Sequence, residues 1–307
     1  MSRATREAYG ETLVELVREG HNIMAVDADL AGSTKLADFQ KAFPKRFVDV
    51  GIAEQDMVGV AAGLSLTGHT VFTGSFAMFA TGRAYDQIRN TVCDSGLNVK
   101  ICPTHAGITV GEDGATHQSL EDIGMMRALP QMRVLVPADY WSAKAALRLA
   151  AEADGPFYVR MGRHKVPEVY DETFKGGVPY ATVLREGTDV TLAACGVEVA
   201  QSLAAAEILA QEGISAEIID VFSIKPLDEE AILASAAKTR RVVSVEEHSV
   251  ATGLGAAVAQ LLSEKLPTPM RFAGMRTFGT SAPGDVLLSH FHLDAEGIAG
   301  RVREFVL

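Results

Sequence analysis

Short apolar runs alternate with longer segments of helical periodicity along the first half of the chain. Apolar positions recur at helical spacing over residues 5–18, which predicts an amphipathic helix. Strands are predicted at residues 21–26, 46–50, 70–73, 99–102, 134–136 and 157–159. Further helices are predicted over residues 54–66, 80–92 and 138–151. Strands interleaved with helices indicate a mostly parallel sheet with both faces covered.

The alternation of predicted strands and helices is interrupted between residues 165 and 180, where proline, glycine and charged residues are frequent, and it continues after this segment. We therefore predict a first domain over residues 1–165, a linker over 166–183 and a second domain over 184–307. In the second domain, strands are predicted at residues 190–194, 216–221, 242–245 and 270–273, and helices at 197–212, 228–237, 255–265 and 295–305. The predicted fold class is α/β, with two mostly parallel-sheet domains.

Composition narrows the class of protein. The 307 residues are 48% hydrophobic and 22% charged, which is typical of a folded globular chain. The formal net charge of -11 disfavours a surface for nucleic acid or an anionic membrane as the main function. The first residues lack the apolar core of a secretory signal, so a cytoplasmic location is the default expectation. The three cysteines form no Cys-x-x-Cys pair, which argues against a disulfide framework or a structural zinc site.

Chemically distinctive side chains follow several of the predicted strands. In a parallel sheet the carboxyl ends of the strands meet at one edge, where ligands commonly bind. Polar loops occur at that edge in every parallel sheet, however, so each residue alone is also compatible with a purely structural role. The residues that fall there are Asp27, Asp29, Glu54, Phe76, Phe79, His105 and Arg163.

Glu54 lies where an apolar strand turns into an apolar helix. A helix amino terminus favours the ionised carboxylate, whereas an enclosing hydrophobic pocket favours the protonated form. A carboxyl group held between these influences can share a proton with a ligand. The alternative is that Glu54 simply begins an ordinary helix.

The loop over residues 105–118 combines three glycines, two histidines and two acids. Glycines allow backbone to approach a ligand closely, and imidazoles can bind hydroxyls or move protons near neutral pH. The loop lacks the Gly-Lys-Ser/Thr ending of a P-loop, and the spacing of its histidines fits no common zinc signature, so we predict no metal ligands here.

Two further motifs have ambiguous spacing. Phe76 and Phe79 are three residues apart and either stack on a planar heterocycle or pack in the core. Residues 246–248, Glu-Glu-His, are predicted to follow a strand, and the Gly-Leu-Gly at 253–255 to open a helix. We interpret these glycines as sites of tight packing or oligomer contacts.

Taken in order, six segments resemble the thiamine-diphosphate enzymes of the transketolase family. The most specific is Gly-Glu-Asp-Gly-x-Thr-His-Gln at residues 111–118, and the others are 27–30, 51–55, 73–79, 136–139 and 246–255. The likeness covers nearly the whole chain and corresponds to the carboxyl-terminal half of transketolase, a pyrimidine-binding domain followed by the terminal domain. The Gly-Ile-Ala-Glu-Gln segment is closer to deoxyxylulose-phosphate synthases and to E1 β subunits of 2-oxo-acid dehydrogenases.

The resemblance implies roles for individual residues. Glu54 would bond the aminopyrimidine of thiamine diphosphate and activate the cofactor, with Phe76 and Phe79 packing on that ring and Asp29 near the thiazolium side. Residues implied to contact the sugar hydroxyls and reacting carbons, with both histidines taking part in catalysis, are His105, Asp113 and His117. Residues implied to bind a terminal phosphate of the sugar are Ser33 and Arg163, with Arg160 as a nearby rival.

The family element that holds magnesium and the diphosphate is not found in this sequence. The resemblance therefore implies an N-terminal transketolase subunit that carries the Mg²⁺ and diphosphate site, active sites at the interface between chains and an α2β2 assembly. The expected activity is transfer of a two-carbon ketol unit from a ketose or its phosphate to an aldose or its phosphate. The alternatives are an E1 β subunit, half of a deoxyxylulose-phosphate-synthase-like enzyme, and a non-catalytic regulatory subunit.

Overall fold

A computed structural model of the chain describes residues 1–306. The helices are α1 Ala8–Arg18, α2 Ala31–Thr34, α3 Ala37–Ala42, α4 Glu54–Ser65, α5 Ala77–Gly82, α6 Asp122–Ala128, α7 Tyr140–Glu152, α8 Glu198–Gln211, α9 Glu229–Thr239, α10 Leu254–Lys265, α11 Gly284–His290 and α12 Ala295–Val306. The strands are β1 Ser2–Ala4, β2 Ile23–Asp27, β3 Phe47–Asp49, β4 Thr70–Gly74, β5 Val99–Ile101, β6 Arg133–Leu135, β7 Phe157–Val159, β8 Lys165–Pro167, β9 Thr182–Arg185, β10 Val190–Ala194, β11 Ala216–Asp220, β12 Ser223–Lys225, β13 Val242–Ser249 and β14 Met270–Met275. Within residues 1–306, no helix combines the length and the apolar character needed to cross a bilayer.

The first sheet has seven strands in the order β12-β6-β7-β5-β4-β2-β3. Every neighbouring pair is parallel except β12 and β6, which are antiparallel. The second sheet has the order β14-β13-β10-β11-β9, and only its edge strand β9 runs antiparallel. The predicted α/β class, with two mostly parallel sheets, is confirmed.

The strands of the first sheet are apolar because both of its faces are covered. Val71 and Phe72 are consecutive in β4 and point to opposite faces, as the two-residue period of a strand requires. Val71 packs in one buried cluster with Met57 of α4, and Phe72 packs in another with Leu13 of α1. Continuous apolar runs are therefore what a two-sided sheet demands.

The two predicted domains, the first and second units, share a hydrophobic core. The buried cluster that contains Val71 of the first sheet also contains Val221 and Leu254, which lie later in the chain. Strand β12 crosses over as well and pairs with β6 of the first sheet. The second unit therefore completes the sheet and the hydrophobic core of the first.

Two element predictions are wrong in detail. The segment over residues 80–92 is not one regular helix, because α5 ends at Gly82 and Gln87–Cys93 forms wider helical turns. Glycine lowers helix propensity and accounts for the break. Strand β13 runs to Ser249, so Glu246 lies inside a buried strand rather than after it. That position is tolerated because its carboxylate accepts hydrogen bonds from the first two amides of α10, at 2.7 and 2.8 Å.

Candidate active site

The carboxyl ends of β3, β2, β4, β5 and β7 are neighbours in the first sheet, and they collect the predicted site residues at one edge. Glu54 begins the helix after β3, Phe76 follows β4 and His105 follows β5. Arg163 follows β7, and Arg6 approaches the same edge from the turn before α1. Parallel topology thus brings together residues that are far apart in the sequence.

Glu54 is the first residue of α4 and is only 4% exposed. The chain reaches it through Gly51, whose φ of +73° is in the left-handed region that favours glycine. Both carboxylate oxygens accept hydrogen bonds from Nη1 of Arg83, at 3.1 and 3.2 Å. The structure therefore places a buried, cation-paired carboxylate at the start of a helix.

Aromatic rings form a stacked group beside this carboxylate. The rings of Phe76 and Phe79 stack with their centroids 6.0 Å apart. The imidazole of His105 also stacks on Phe76, with a centroid distance of 3.8 Å. His117 meets Phe79 edge-on at 5.2 Å. The guanidinium of Arg83 lies over Phe79 at 4.3 Å. The rings thus connect the Glu54 end of the site to residues 105–118, the histidine loop.

His105 is held in a strained and specific position. Its φ of +58° is unusual for a residue with a side chain, and such strain often occurs at functional sites. Nε2 lies 3.2 Å from Nη1 of Arg6, and Nδ1 lies 2.7 Å from Oγ1 of Thr104. Because an arginine can only donate, this network assigns the acceptor role to Nε2 and the proton to Nδ1.

We expect the His105 imidazole to stay neutral from pH 8 to pH 5. Burial, followed by the nearby charges of Arg6 and Arg163, lowers its pKa from 6.5 to about 3. The unfolded chain binds this proton below pH 6.5 and the folded chain does not, so the group reduces folding stability as the pH falls from 6.5 toward 3. NMR of the ring, assigned with a His105→Asn variant, checks this, and a midpoint near 6.5 would contradict it.

Arg6 is a site residue that the sequence analysis missed. Its Nη1 donates to the backbone oxygen of Ser33 at 2.8 Å as well as contacting His105. Its Nε is buried and has no hydrogen-bond partner among the described residues. Burial, reinforced by the charge of Arg163, lowers the pKa of Arg6 from its ordinary value. The periodicity places Arg6 in the helix predicted over residues 5–18 and carries no signal that distinguishes it from the other polar residues there.

The structure separates the roles of Arg160 and Arg163. Arg160 is buried, and its guanidinium contacts Asp122 at 2.7 Å and the backbone oxygens of Ser119 and Glu247 at 3.3 Å. Arg163 is 37% exposed and contacts Asp113 at 3.2 Å. Arg163, which also donates to the backbone oxygen of Val110 at 3.0 Å, is thus the more accessible of the two, whereas Arg160 is held in an internal network.

The other predicted residues differ in how closely they join the site. Asp113 is exposed on the loop, His117 is half-buried, and Ser33 is in α2. Among residues 1–306, no hydrogen bond or ring contact joins Asp29 to the group; its backbone amide instead donates to Asp49 at 3.1 Å. Within the same residues, no three His, Cys, Asp or Glu side chains are grouped to hold a metal ion. The Mg²⁺ assignment stays a prediction.

The second unit holds the histidine loop in place. Nε2 of Gln118 donates to the backbone oxygen of Thr280 at 2.9 Å, and Ser281 donates to the backbone oxygen of Glu112 at 2.5 Å. Glu247 accepts from the amide and hydroxyl of Thr109 at 3.0 and 2.8 Å. The loop geometry therefore depends on both units.

Comparison with known protein families gives two matches along the chain. Residues 1–168 match the model described as transketolase, pyrimidine binding domain, and residues 179–298 match the one described as transketolase, C-terminal domain. The chain belongs to the transketolase family. Transketolases are a thiamine-diphosphate-dependent family of transferases, and the resemblance read from the sequence motifs is confirmed.

Relatives of this transketolase-family chain include separate subunits. A Methanocaldococcus jannaschii protein, provisionally named as a transketolase C-terminal section, is 49% identical over 98% of this chain and 96% of its own length. A Clostridium protein named as a 6-deoxy-6-sulfo-D-fructose transketolase subunit is 42% identical, over 97% of this chain and 93% of its own length.

A solved structure matches the whole fold. It is described as a split gene transketolase, inactive beta4 tetramer, and it is 48% identical with a TM-score of 0.91, covering 99% of this chain and 98% of that chain. This transketolase-family chain is thus similar to a split transketolase subunit along its entire length.

Proposed function

We propose that the chain is the carboxyl-terminal subunit of a two-chain transketolase, which transfers a two-carbon ketol unit from a ketose to an aldose with thiamine diphosphate. The observation that carries the proposal is the Glu54 carboxylate, which is 4% exposed at the start of α4 and is joined through Arg83 to the Phe79 ring, itself stacked on Phe76. When bound, thiamine diphosphate supplies the carbanion stabilisation that carbon–carbon cleavage requires.

The residues around Glu54 fit the aminopyrimidine half of the cofactor. A flat heterocycle needs an apolar or aromatic surface, which the partly buried Phe79 ring offers. A ring nitrogen that carries a proton needs a buried acceptor, which Glu54 provides. The acid would hold that proton at the pyrimidine nitrogen and favour the cofactor tautomer able to accept a proton elsewhere.

The histidine loop suits the sugar. His105 presents a buried imidazole between Phe76 and Arg6, and His117 lies against the edge of Phe79. Neutral imidazoles can accept from sugar hydroxyls or donate to them, and they can move protons at the reacting carbons. Asp113 adds a carboxylate acceptor for hydroxyl groups at the exposed end of the loop.

A cationic group next to His105 suits an anionic end of the substrate. Arg6 and Arg163 are close enough for each to lower the pKa of His105, and the buried Nε of Arg6 is a free donor among the described residues. Guanidinium groups make forked, charge-assisted hydrogen bonds to phosphate or sulfonate oxygens. Ser33 adds a hydroxyl at the same place, so we assign the terminal phosphate of the sugar to these side chains.

Arg6→Ala and Arg163→Ala are each expected to raise KM for a sugar phosphate about 10- to 100-fold, with a smaller change in kcat. A hydrogen bond to a charged group contributes about 1.5–3 kcal/mol, which corresponds to this range. Steady-state kinetics of the assembled enzyme check the result, with Arg148→Ala as the control, since Arg148 pairs with Glu15 and Glu19 instead. An equal loss with an unphosphorylated sugar would contradict the assignment.

The missing half of the site is assigned to a partner. Magnesium is usually held by one or two carboxylates together with phosphate oxygens, and the sequence element with which the family holds it is not found in this chain. The relatives named as a C-terminal section and as a subunit support a separate N-terminal chain, to which we assign Mg²⁺ and the diphosphate. We infer active sites between the two kinds of chain in an α2β2 assembly.

The test is to assay this chain alone and after mixing with a candidate N-terminal subunit. We expect calorimetry to detect tight binding of thiamine diphosphate and Mg²⁺ in the mixture and not in the single chain. Turnover should follow the same pattern with ketose phosphates as donors. Strong turnover by the single chain would refute the split enzyme, and turnover of 2-oxo acids that depends on a lipoyl domain would instead support an E1 β subunit.

A further inference from the structure

Arg83 contacts the two groups that we assign to the cofactor's aminopyrimidine, the Glu54 carboxylate and the Phe79 ring. Its Nη1 donates to both oxygens of Glu54, at 3.1 and 3.2 Å, and its Cζ lies 4.3 Å from the centre of the Phe79 ring. A pyrimidine bonded to Glu54 and packed on Phe79 would use the same oxygens and the same ring. The guanidinium is itself planar, so it mimics part of the heterocycle.

The surroundings make this arrangement reversible. The Arg83 side chain is 52% exposed, whereas its partner Glu54 is only 4% exposed. The backbone oxygen of Arg83 is fixed by Nε2 of Gln55 at 3.0 Å, so the side chain can swing into solvent while the backbone stays. Without Arg83, the buried carboxylate would need another partner, because an unpaired buried charge is unfavourable.

We propose that Arg83 is an internal competitor of the cofactor, which occupies the pyrimidine position in the free subunit and leaves it when thiamine diphosphate binds. The inference rests on the proposed function, since it takes the Glu54 carboxylate as the pyrimidine acceptor. Arg83 then keeps the buried carboxylate paired before assembly and sets the apparent affinity for the cofactor, which is the affinity of the open form multiplied by the fraction of open molecules.

The experiment measures binding rather than turnover. The chain alone is titrated by NMR with 4-amino-5-hydroxymethyl-2-methylpyrimidine, the pyrimidine half of thiamine, and the assembled protein is titrated by calorimetry with thiamine diphosphate and Mg²⁺. The variants are Arg83→Ala, Arg83→Lys and Glu54→Gln. Arg89→Ala is the matched control, because it removes an exposed arginine from the next helical turns without touching Glu54.

We expect Arg83→Ala to bind both probes about 5- to 10-fold more tightly than the unmodified chain, since an ion pair whose arginine is half-exposed and a cation–π contact are each modest. Arg83→Lys should lie between the two, and Arg89→Ala should match the unmodified chain. The advantage of Arg83→Ala should shrink at high salt, which screens the competing ion pair. A purely structural role for Arg83 would not give this salt dependence.

The outcomes separate the two proposals. Equal or weaker binding by Arg83→Ala, together with weakened binding by Glu54→Gln, would overturn the competitor role and leave the function standing. Unaltered binding by Glu54→Gln would overturn the assignment of the pyrimidine to Glu54, and with it both proposals. Failure of every variant to bind either probe would also overturn both. Thermal unfolding of each variant confirms that a changed affinity does not reflect a lost fold.

Discussion

Glu54→Gln is expected to lower ketol transfer by the assembled two-chain protein about 10²- to 10⁴-fold while leaving the fold intact. The amide keeps the shape of the side chain but loses the charge, so it cannot hold a proton shared with the pyrimidine nitrogen. The loss corresponds to about 3–5.5 kcal/mol in the activation barrier. The measurements are steady-state turnover with a ketose phosphate donor and circular dichroism of the variant.

Asp56→Asn is the matched control for this substitution. Asp56 is exposed in the same first turn of α4, so its replacement removes one negative charge near the same helix amino terminus. That change affects only the interaction with the helix dipole, about 0.3–1 kcal/mol. We expect near-normal activity in Asp56→Asn. Activity of Glu54→Gln within a few fold of that control would remove Glu54 from the proposed mechanism.

Local sequence patterns were sufficient to predict the sheet edge on which the site lies. The position of Glu54 after an apolar strand and before an apolar helix predicted the start of α4, which the structure places at that residue. Phe76 and His105 were predicted in the same way, because each follows a strand whose apolar run is easy to recognise. A parallel sheet converts these separate local features into one edge.

Features that depend on long-range contacts could not be predicted in this way. Arg6 is 99 residues from His105 in the chain, and only the fold brings them within 3.2 Å. Strand β12 was missed because its residues, Ser-Ile-Lys, include a single apolar side chain and so form no apolar run. It pairs with β6, almost 90 residues earlier, and only the fold reveals that pairing.

Arg83 is an intermediate case, since part of its role had a local signal. It follows Phe79 by four residues, a helical spacing that places a guanidinium over a ring. Its pairing with Glu54 was not visible, because 29 residues and the strand β4 separate them. Of the two roles predicted for the glycines of the Gly-Leu-Gly segment, tight packing is confirmed, since a Cβ on Gly255 would lie 2.4 Å from Oγ of Ser244, and the oligomer contact stays a prediction.

Arg160→Met is expected to destabilise the chain by about 3–5 kcal/mol, the usual cost of removing one partner from a buried ion pair. Its guanidinium contacts Asp122 at 2.7 Å and Glu247 at 3.6 Å, and all three side chains are at most 5% exposed. Burial would raise the pKa of Asp122, but Arg160 and His248 lower it overall, so the carboxylate needs this cation. Urea unfolding measures the loss.

Arg148→Met provides the comparison for this variant. Arg148 also pairs with two acids, Glu15 and Glu19, but all three side chains are at least 30% exposed, and such pairs contribute about 0–1 kcal/mol. An equal effect of the two substitutions would contradict the role that we give to the buried network. The deficit of Arg160→Met should also shrink as the pH falls toward 3.8, the ordinary pKa of an aspartate, since a protonated Asp122 no longer needs a cation.

The double variant Arg160→Met with Asp122→Leu tests the same network from the other side. Removing both members leaves fewer unpaired buried charges than removing Arg160 alone, so the combined loss should be smaller than the sum of the two single losses. Because Glu247 also binds Thr109, the network joins the histidine loop to the second unit. Arg160→Met should therefore raise KM for the sugar at temperatures where the protein is still folded, whereas Arg148→Met should not.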